Sequence, residues 1–226
     1  MCHINRVNIF MNIIAHATEI LRRPIGWIEL DISFDLAIWK KESEMVKQYL
    51  VPHREGDGHD GWRSCCIHGI EIDKTGHWNR YAKTESDVIY KWTDLSELTP
   101  NITKFWKKFP TEHFARLRFM ELAPGGYIAP HNDSPNGIKN TEFDMMDHMI
   151  PINVSIIHPD DCYMTLESHG VVPFTEGKAL IVNITHTHSF VNNSPRPRMH
   201  MIAHCIIGNK KKEFSELVVR SYNKTI

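Results

Sequence analysis

Tyr127-Ile128-Ala129-Pro130-His131-Asn132-Asp133 is the stretch on which the fold of this chain turns. It follows a tight turn at Pro124-Gly125-Gly126 and reads as a short strand ending in His131 and Asp133. Residues two apart on a strand project to the same face, so an imidazole and a carboxylate are held side by side. They are two corners of a facial triad of two histidines and one carboxylate. That arrangement holds non-haem Fe(II) and leaves coordination positions open. A His-x-Asp pair on a strand end is, taken alone, more often a hydrogen-bonded surface pair. The remaining histidine has to come from elsewhere in the chain.

Around this stretch the texture is that of short strands separated by turn signals. Candidate strands are 115–122, 127–133, 149–157, 161–167, 171–174, 178–184, 187–192 and 198–207. Strands this short at this spacing argue for a closed or double-sheet β architecture. The expected fold class is mainly β with flanking helices, a double-stranded β-helix (jelly roll, cupin-like). The expected organisation is a single domain: strands and supporting helices over 1–112, a jelly-roll core over 113–208 and a closing helix over 209–226.

Before the core, Ile25 to Ile32 reads as a strand and Ser33 as the N-cap of a helix that carries Leu36, Trp39, Val46, Tyr49 and Leu50 near one face. Pro52 to Gly61 holds His53, Asp57, His59 and Asp60 among three glycines and reads as a mobile, solvent-exposed loop. Trp62 to Glu71 reads as a strand. Thr99 is the expected cap of a helix with Pro100 at its first position, and Phe105, Trp106 and Phe109 are its core side. Glu213 to Tyr222 reads as the closing helix, with Phe214, Leu217 and Val218 inward.

Composition narrows the function classes. Lys and Arg number 26 and Asp and Glu 27, a formal net charge of -1. That gives no electrostatic reason to expect nucleic acid or an anionic membrane as partner. The five cysteines form no C-x-x-C pair, so free thiols in a reducing cytoplasm are expected. The first twenty residues are broken by polar groups, and neither a secretion signal nor a membrane span is expected.

Two histidines compete for the open corner. Thr185-His186-Thr187-His188 follows the apolar run Ala179-Leu180-Ile181-Val182, and each histidine has an arginine ten residues later, Arg196 and Arg198. In a jelly roll the last two strands lie close around the barrel mouth. An arginine there suits a carboxylate, because its planar fork donates two parallel hydrogen bonds. Arg116 and Arg118 share one face of the first core strand, whereas His148, His158, His169, His200 and His204 read as structural or surface groups.

From Phe114 to Ile207 the sequence resembles the aspartyl/asparaginyl β-hydroxylase family of Fe(II)/2-oxoglutarate oxygenases, including bacterial free-proline hydroxylases of that fold. The matching features are Leu122-Ala123-Pro124-Gly125-Gly126, Pro130-His131-Asn132-Asp133, Ile152-Asn153-Val154-Ser155-Ile156, Gly177-Lys178-Ala179-Leu180-Ile181, His188 and Arg198. The resemblance implies Fe(II) bound by His131, Asp133 and His188, because the family's second histidine lies eleven residues after the glycine matched by Gly177. It implies Arg198 as anchor for the distal carboxylate of 2-oxoglutarate. Asn153 lies near a family position that helps bind 2-oxoglutarate, and Arg118 matches an arginine of the proline hydroxylases, so either is expected to contact cosubstrate or substrate.

Animal aspartyl hydroxylases lack the carboxylate in the first motif, so Asp133 favours the bacterial amino-acid hydroxylases as the comparison. The implied activity is hydroxylation of an amino acid, free or in a peptide, with O2 as cosubstrate, succinate and CO2 as products and ascorbate in support. The loop Ser134 to Met146, leaving directly from the ligands, is the expected lid. Two readings compete: a metal-binding jelly-roll module without catalysis, and a cupin-like enzyme using His186 and His188 with His131.

Overall fold

The computed structural model describes residues 13–225 apart from 55, 82, 134–145 and 147. The expected lid over Ser134 to Met146 therefore lies, but for Met146, outside the described residues.

In chain order the elements begin with α1 (13–22), β1 (Trp27–Glu29), α2 (Leu36–Met45), β2 (Val51–Pro52), β3 (Asp60–Gly69), β4 (Lys91–Trp92), α3 (Leu95–Leu98) and α4 (Pro100–Trp106). They continue with β5 (His113–His131), β6 (Met149–Ile157), β7 (Cys162–Leu166), β8 (Gly170–Val171), β9 (Ala179–Val182), β10 (His188–Asn192), β11 (Arg198–Ile206) and α5 (Lys211–Thr225). The strands form an antiparallel sheet in the order β1-β9-β6-β11-β5-β10-β7-β8, with β3 added to β5 and flanked by β2 and β4. Helices lie against it, and the mainly β architecture expected from the sequence is present.

β5 is the spine. The sequence divides it into two strands, 115–122 and 127–133, but it runs unbroken for 19 residues. Its first half pairs with β11, from Ile206 opposite His113 to Arg198 opposite Leu122. Its second half pairs with β10, where His188 lies opposite His131. The change of partner falls at Pro124-Gly125-Gly126. Gly125 takes a φ of +74°, which favours glycine. A Cβ on Gly126 would sit 2.9 Å from the Ala123 carbonyl oxygen and 3.0 Å from that of Asp60. The two glycines let one strand serve both halves of the curled sheet.

Alternation along β11 sorts the core. Met199, Met201, Ala203 and Cys205 join the large cluster under the helices, with Trp39, Trp106, Ile152, Val154 and Phe214. The opposite face carries Arg198, His200, Ile202 and His204. They register with Leu122, Met120, Arg118 and Arg116 on β5 and, past a bulge, with Ser155, Asn153 and Pro151 on β6. The inside of the curl is therefore polar at its centre. A smaller apolar cluster of Leu122, Ile128, Met164, Leu180, Val182 and Phe190 closes one side.

Several local expectations change. Asp35, not Ser33, caps α2, its Oδ1 accepting from the Ile38 N–H at 3.1 Å. The first strand is shorter than Ile25 to Ile32, and β3 begins two residues earlier than expected. Pro100 opens α4 as expected, but the Thr99 hydroxyl turns back to the Leu95 carbonyl. Glu42 of α2 takes over the capping: its carboxylate accepts from the Asn101 and Ile102 N–H groups at 3.0 and 2.9 Å. Hydrogen bonds to a charged group are worth about 1.5–3 kcal/mol each, so one buried carboxylate ties α4 to α2. Cys65, Cys66, Cys162 and Cys205 are free and buried. Among the described residues no helix is long and apolar enough to cross a membrane.

Candidate metal and cosubstrate site

The last residue pair of the β5–β10 ladder is His131 opposite His188. Their rings lie 4.4 Å apart between centroids. Two residues on, the Asp133 N–H donates to the Ile184 carbonyl at 3.0 Å, which turns its carboxylate back over both rings. Asp133 Oδ2 is 3.9 Å from Nε2 of each histidine. One donor atom from each of the three residues lies within 4.8 Å of the others. Two donors each about 2.1 Å from one ion are at most about 4 Å apart, and the two 3.9 Å separations from Asp133 Oδ2 meet that limit.

The tautomers fit as well. Nδ1 of His131 faces the Ala129 carbonyl at 2.8 Å, and Nδ1 of His188 faces the His186 carbonyl at 3.0 Å. A carbonyl only accepts, so both Nδ1 atoms carry the proton and both Nε2 lone pairs face the carboxylate. This outer hydrogen bond is what a metal-binding histidine needs to fix its ring and tautomer. Burial holds the His188 pKa below its ordinary value and so favours the neutral ligand form. His186 stands outside this group. Its ring packs edge-on against His169 at 4.8 Å, and its carbonyl orients His188.

A cavity of about 590 Å³ opens from this point into the curl. Arg198 and Asn153 line it, as do Arg116, Arg118 and His204. Arg198 is 1% exposed. Its Nη2 donates to His200 Nδ1, its guanidinium lies 4.2 Å from the Phe190 ring centroid, and its Nε has no partner. Burial pushes its pKa down to about 9, which still leaves it a cation at neutral pH. No carboxylate among the described residues pairs with it. A buried, unpaired charge costs several kcal/mol, and an incoming carboxylate offsets that cost. Asn153 is buried on β6 opposite Ile202 and Leu180.

The segment read as a mobile, exposed loop is exposed at Pro52, Gly56, Asp57, Gly58 and Asp60, but His53 and Arg54 line this cavity. His53 is 4% exposed and hydrogen-bonds Thr75 Oγ1 at 2.7 Å. His59 Nδ1 accepts from the Ala129 N–H at 3.0 Å, and Arg54 Nη1 is 3.6 Å from Asp133 Oδ1. Local composition of 52–61 gives no hint of this, because the packing partner is β5. His200 and His204, read as structural or surface groups, face inward. Their signal was present in β11, where the inward-facing residues include Arg198, His200 and His204.

Buried histidines make stability depend on pH. His53, His200 and His204 are held well below the ordinary histidine value, first by burial and then by nearby guanidiniums. Burial first of all pushes His68 and His158 down to about 4. Their folded pKa values lie below the unfolded value of about 6.5, so the unfolded chain takes up protons first as the pH falls. Stability is full above about 6.5 and is lost toward pH 4, at up to about 1.4 kcal/mol per pH unit for each group. The urea midpoint is expected to be lower at pH 5 than at pH 7.5. An equal or higher midpoint at pH 5 contradicts this.

A family model described as aspartyl/asparaginyl beta-hydroxylase matches residues 35–206. No curated protein matches. Among solved structures, a 2OG-Fe(II) oxygenase family oxidoreductase from Burkholderia pseudomallei superposes with a TM-score of 0.50 at 14% identity, over 84% of this chain and 88% of that one. A prolyl hydroxylase from Trichoplax adhaerens, in complex with a hypoxia inducible factor peptide fragment, superposes with a TM-score of 0.52 at 9% identity, over 93% of this chain and 96% of that one. At such identities the structural likeness speaks for the fold alone, and it is that of a double-stranded β-helix.

Proposed function

This chain belongs to the aspartyl/asparaginyl β-hydroxylase family, and from that premise we propose that it works as an Fe(II)/2-oxoglutarate-dependent dioxygenase hydroxylating an amino acid, free or in a peptide. The observation that carries the reading is a single cavity with three inward-facing ligand atoms at one point and a buried, unpaired guanidinium in its wall.

Bound Fe(II), with 2-oxoglutarate and O2, supplies the oxidising power for C–H hydroxylation; the hard step belongs to the cofactor and the protein provides placement. His131, Asp133 and His188 would hold the metal. Arg198 would fix the distal carboxylate of 2-oxoglutarate, its fork kept in orientation by His200 and its flat face by Phe190. Asn153, on the same wall, offers a neutral hydrogen-bonding group to the cosubstrate. Ile128, Met164 and Val182 give the cavity an apolar side. A metal-binding module without catalysis has no use for a buried, unpaired Arg198, and this favours the enzyme.

The test is succinate release from 2-oxoglutarate by protein supplied with Fe(II) and ascorbate. Release above that of chelator-treated protein is expected. No release at any Fe(II) concentration contradicts the proposal.

A further inference from the structure

Arg198 is held from behind by two histidines, and the hydrogen positions along that line are fixed by chemistry. A guanidinium only donates. The contact of Arg198 Nη2 with His200 Nδ1 therefore puts the His200 lone pair on Nδ1. His200 is fully buried, and burial first, then Arg198 and His158, hold it well below the ordinary histidine value. A neutral ring with its lone pair on Nδ1 carries its proton on Nε2. That nitrogen lies 3.0 Å from His158 Nδ1. So His200 donates, His158 accepts, and the proton of His158 is on Nε2 in turn. Burial pushes His158 down to about 4, so this ring too is neutral at neutral pH, and its N–H is met by the Cys162 backbone.

Donation thus runs in one direction, from Arg198 through His200 and His158 to the first residue of β7. Aromatic rings enclose the line. Phe174 lies edge-on to His200 at 4.9 Å and 5.5 Å from His158, and it stacks with Phe190, the ring nearest the Arg198 guanidinium. The His158 backbone is fixed separately: its N–H donates to Glu176 Oε1 at 3.0 Å, and Glu176 is paired with Lys40. A carboxylate behind Arg198 would hold the fork as firmly, but it would neutralise the charge that an incoming carboxylate needs. Two neutral imidazoles hold the fork and leave its charge whole. With the other tautomer, an Nδ1–H of His200 would face the Arg198 donor and the contact would turn repulsive.

We infer that His158 is a positioning residue for the cosubstrate: by accepting from His200 Nε2 it locks the His200 tautomer, and through it the direction of the Arg198 fork. The inference rests on the hydroxylase reading for the word cosubstrate. His158 stands outside the metal point and outside the wall of the cavity beside it. An effect of its loss on 2-oxoglutarate therefore has to travel through His200.

The test measures 2-oxoglutarate binding to Mn(II)-loaded protein by isothermal titration, without turnover, beside Mn(II) affinity and the urea midpoint. His158→Phe keeps a ring beside Phe174 and removes the acceptor. It is expected to bind 2-oxoglutarate about tenfold more weakly, the effect of one buried hydrogen bond, and to bind Mn(II) as wild type does. His158→Asn places an amide oxygen near the position of Nδ1 and is expected to recover most of that loss. A purely structural role gives a lower urea midpoint with unchanged 2-oxoglutarate affinity in His158→Phe, and that overturns the inference. So does an asparagine variant as weak as the phenylalanine one, or an equal loss of Mn(II) affinity. Should His158→Phe not fold, long-range proton–nitrogen NMR spectra of metal-free wild-type protein decide. Both rings are expected to be neutral with the proton on Nε2 at neutral pH, and an Nδ1 proton on either ring overturns the lock. Wild-type protein that does not bind 2-oxoglutarate overturns the hydroxylase reading, whereas equal binding by wild type and His158→Phe overturns this inference alone.

Discussion

In His188→Ala, Mn(II) or Fe(II) binding is expected to fall by more than about 100-fold and succinate release to drop to background. Loss of a group that merely orients a ligand typically costs 10–100-fold in affinity, and removing a ligand costs more. His188 is the residue to change because it completes the site from later in the chain, on β10, while His131 ends β5 and Asp133 follows two residues on. His186→Ala is the control. Its ring lies against His169 and its contribution to the site is a backbone carbonyl, which alanine keeps. Metal affinity in that variant is expected to stay within about threefold of wild type. The reverse pattern, with His186→Ala losing the metal and His188→Ala keeping it, contradicts the assignment. Isothermal titration with Mn(II) reads both, and a urea midpoint separates ligand loss from unfolding, since His188 is itself buried.

How much of this was legible in the chain follows from the range over which each interaction acts. The two-residue spacing pointed to the His131-x-Asp133 pair, but the expected strand to 133 ends at His131, and Asp133 is turned to the site by its N–H bond to the Ile184 carbonyl. The strands of the core were readable because turn residues bracket β-branched and apolar runs. Choosing His188 over His186 was beyond spacing and needed the family resemblance, since both sit at positions of equal parity. What escaped were contacts between distant segments. Glu42 looks like any polar position of α2 until α4 sets its N-terminus against it. His53 sits in a stretch rich in glycine and aspartate, and its burial is decided by Arg118 and Thr75. The inward histidines of β11 fit the pattern of a half-exposed strand, polar on one face and apolar on the other. Such alternation usually means one wet face. Here the polar face lines the interior of the curl, because β5 and β6 wrap around it.

Arg198→Gln is expected to separate cosubstrate binding from stability. Glutamine is neutral and lacks the paired fork, so two charge-assisted hydrogen bonds to a carboxylate are lost, at about 1.5–3 kcal/mol each. The KM for 2-oxoglutarate is expected to rise on the order of 100-fold or more, with a smaller change in kcat once the cosubstrate is saturating. The apo protein responds in the opposite sense. Arg198 is fully enclosed, has an unpartnered Nε and has no described carboxylate beside it. Its stacking on Phe190 returns at most about 2 kcal/mol, less than the several kcal/mol of desolvation. Removing the charge is therefore expected to leave the urea midpoint unchanged or higher. A residue serving the fold shows the other pairing, a lower midpoint with an unaltered KM. That outcome removes the cosubstrate role from Arg198. Unaltered KM and midpoint together remove it equally, because a guanidinium buried at this cost without a ligand to offset it has no function in the site.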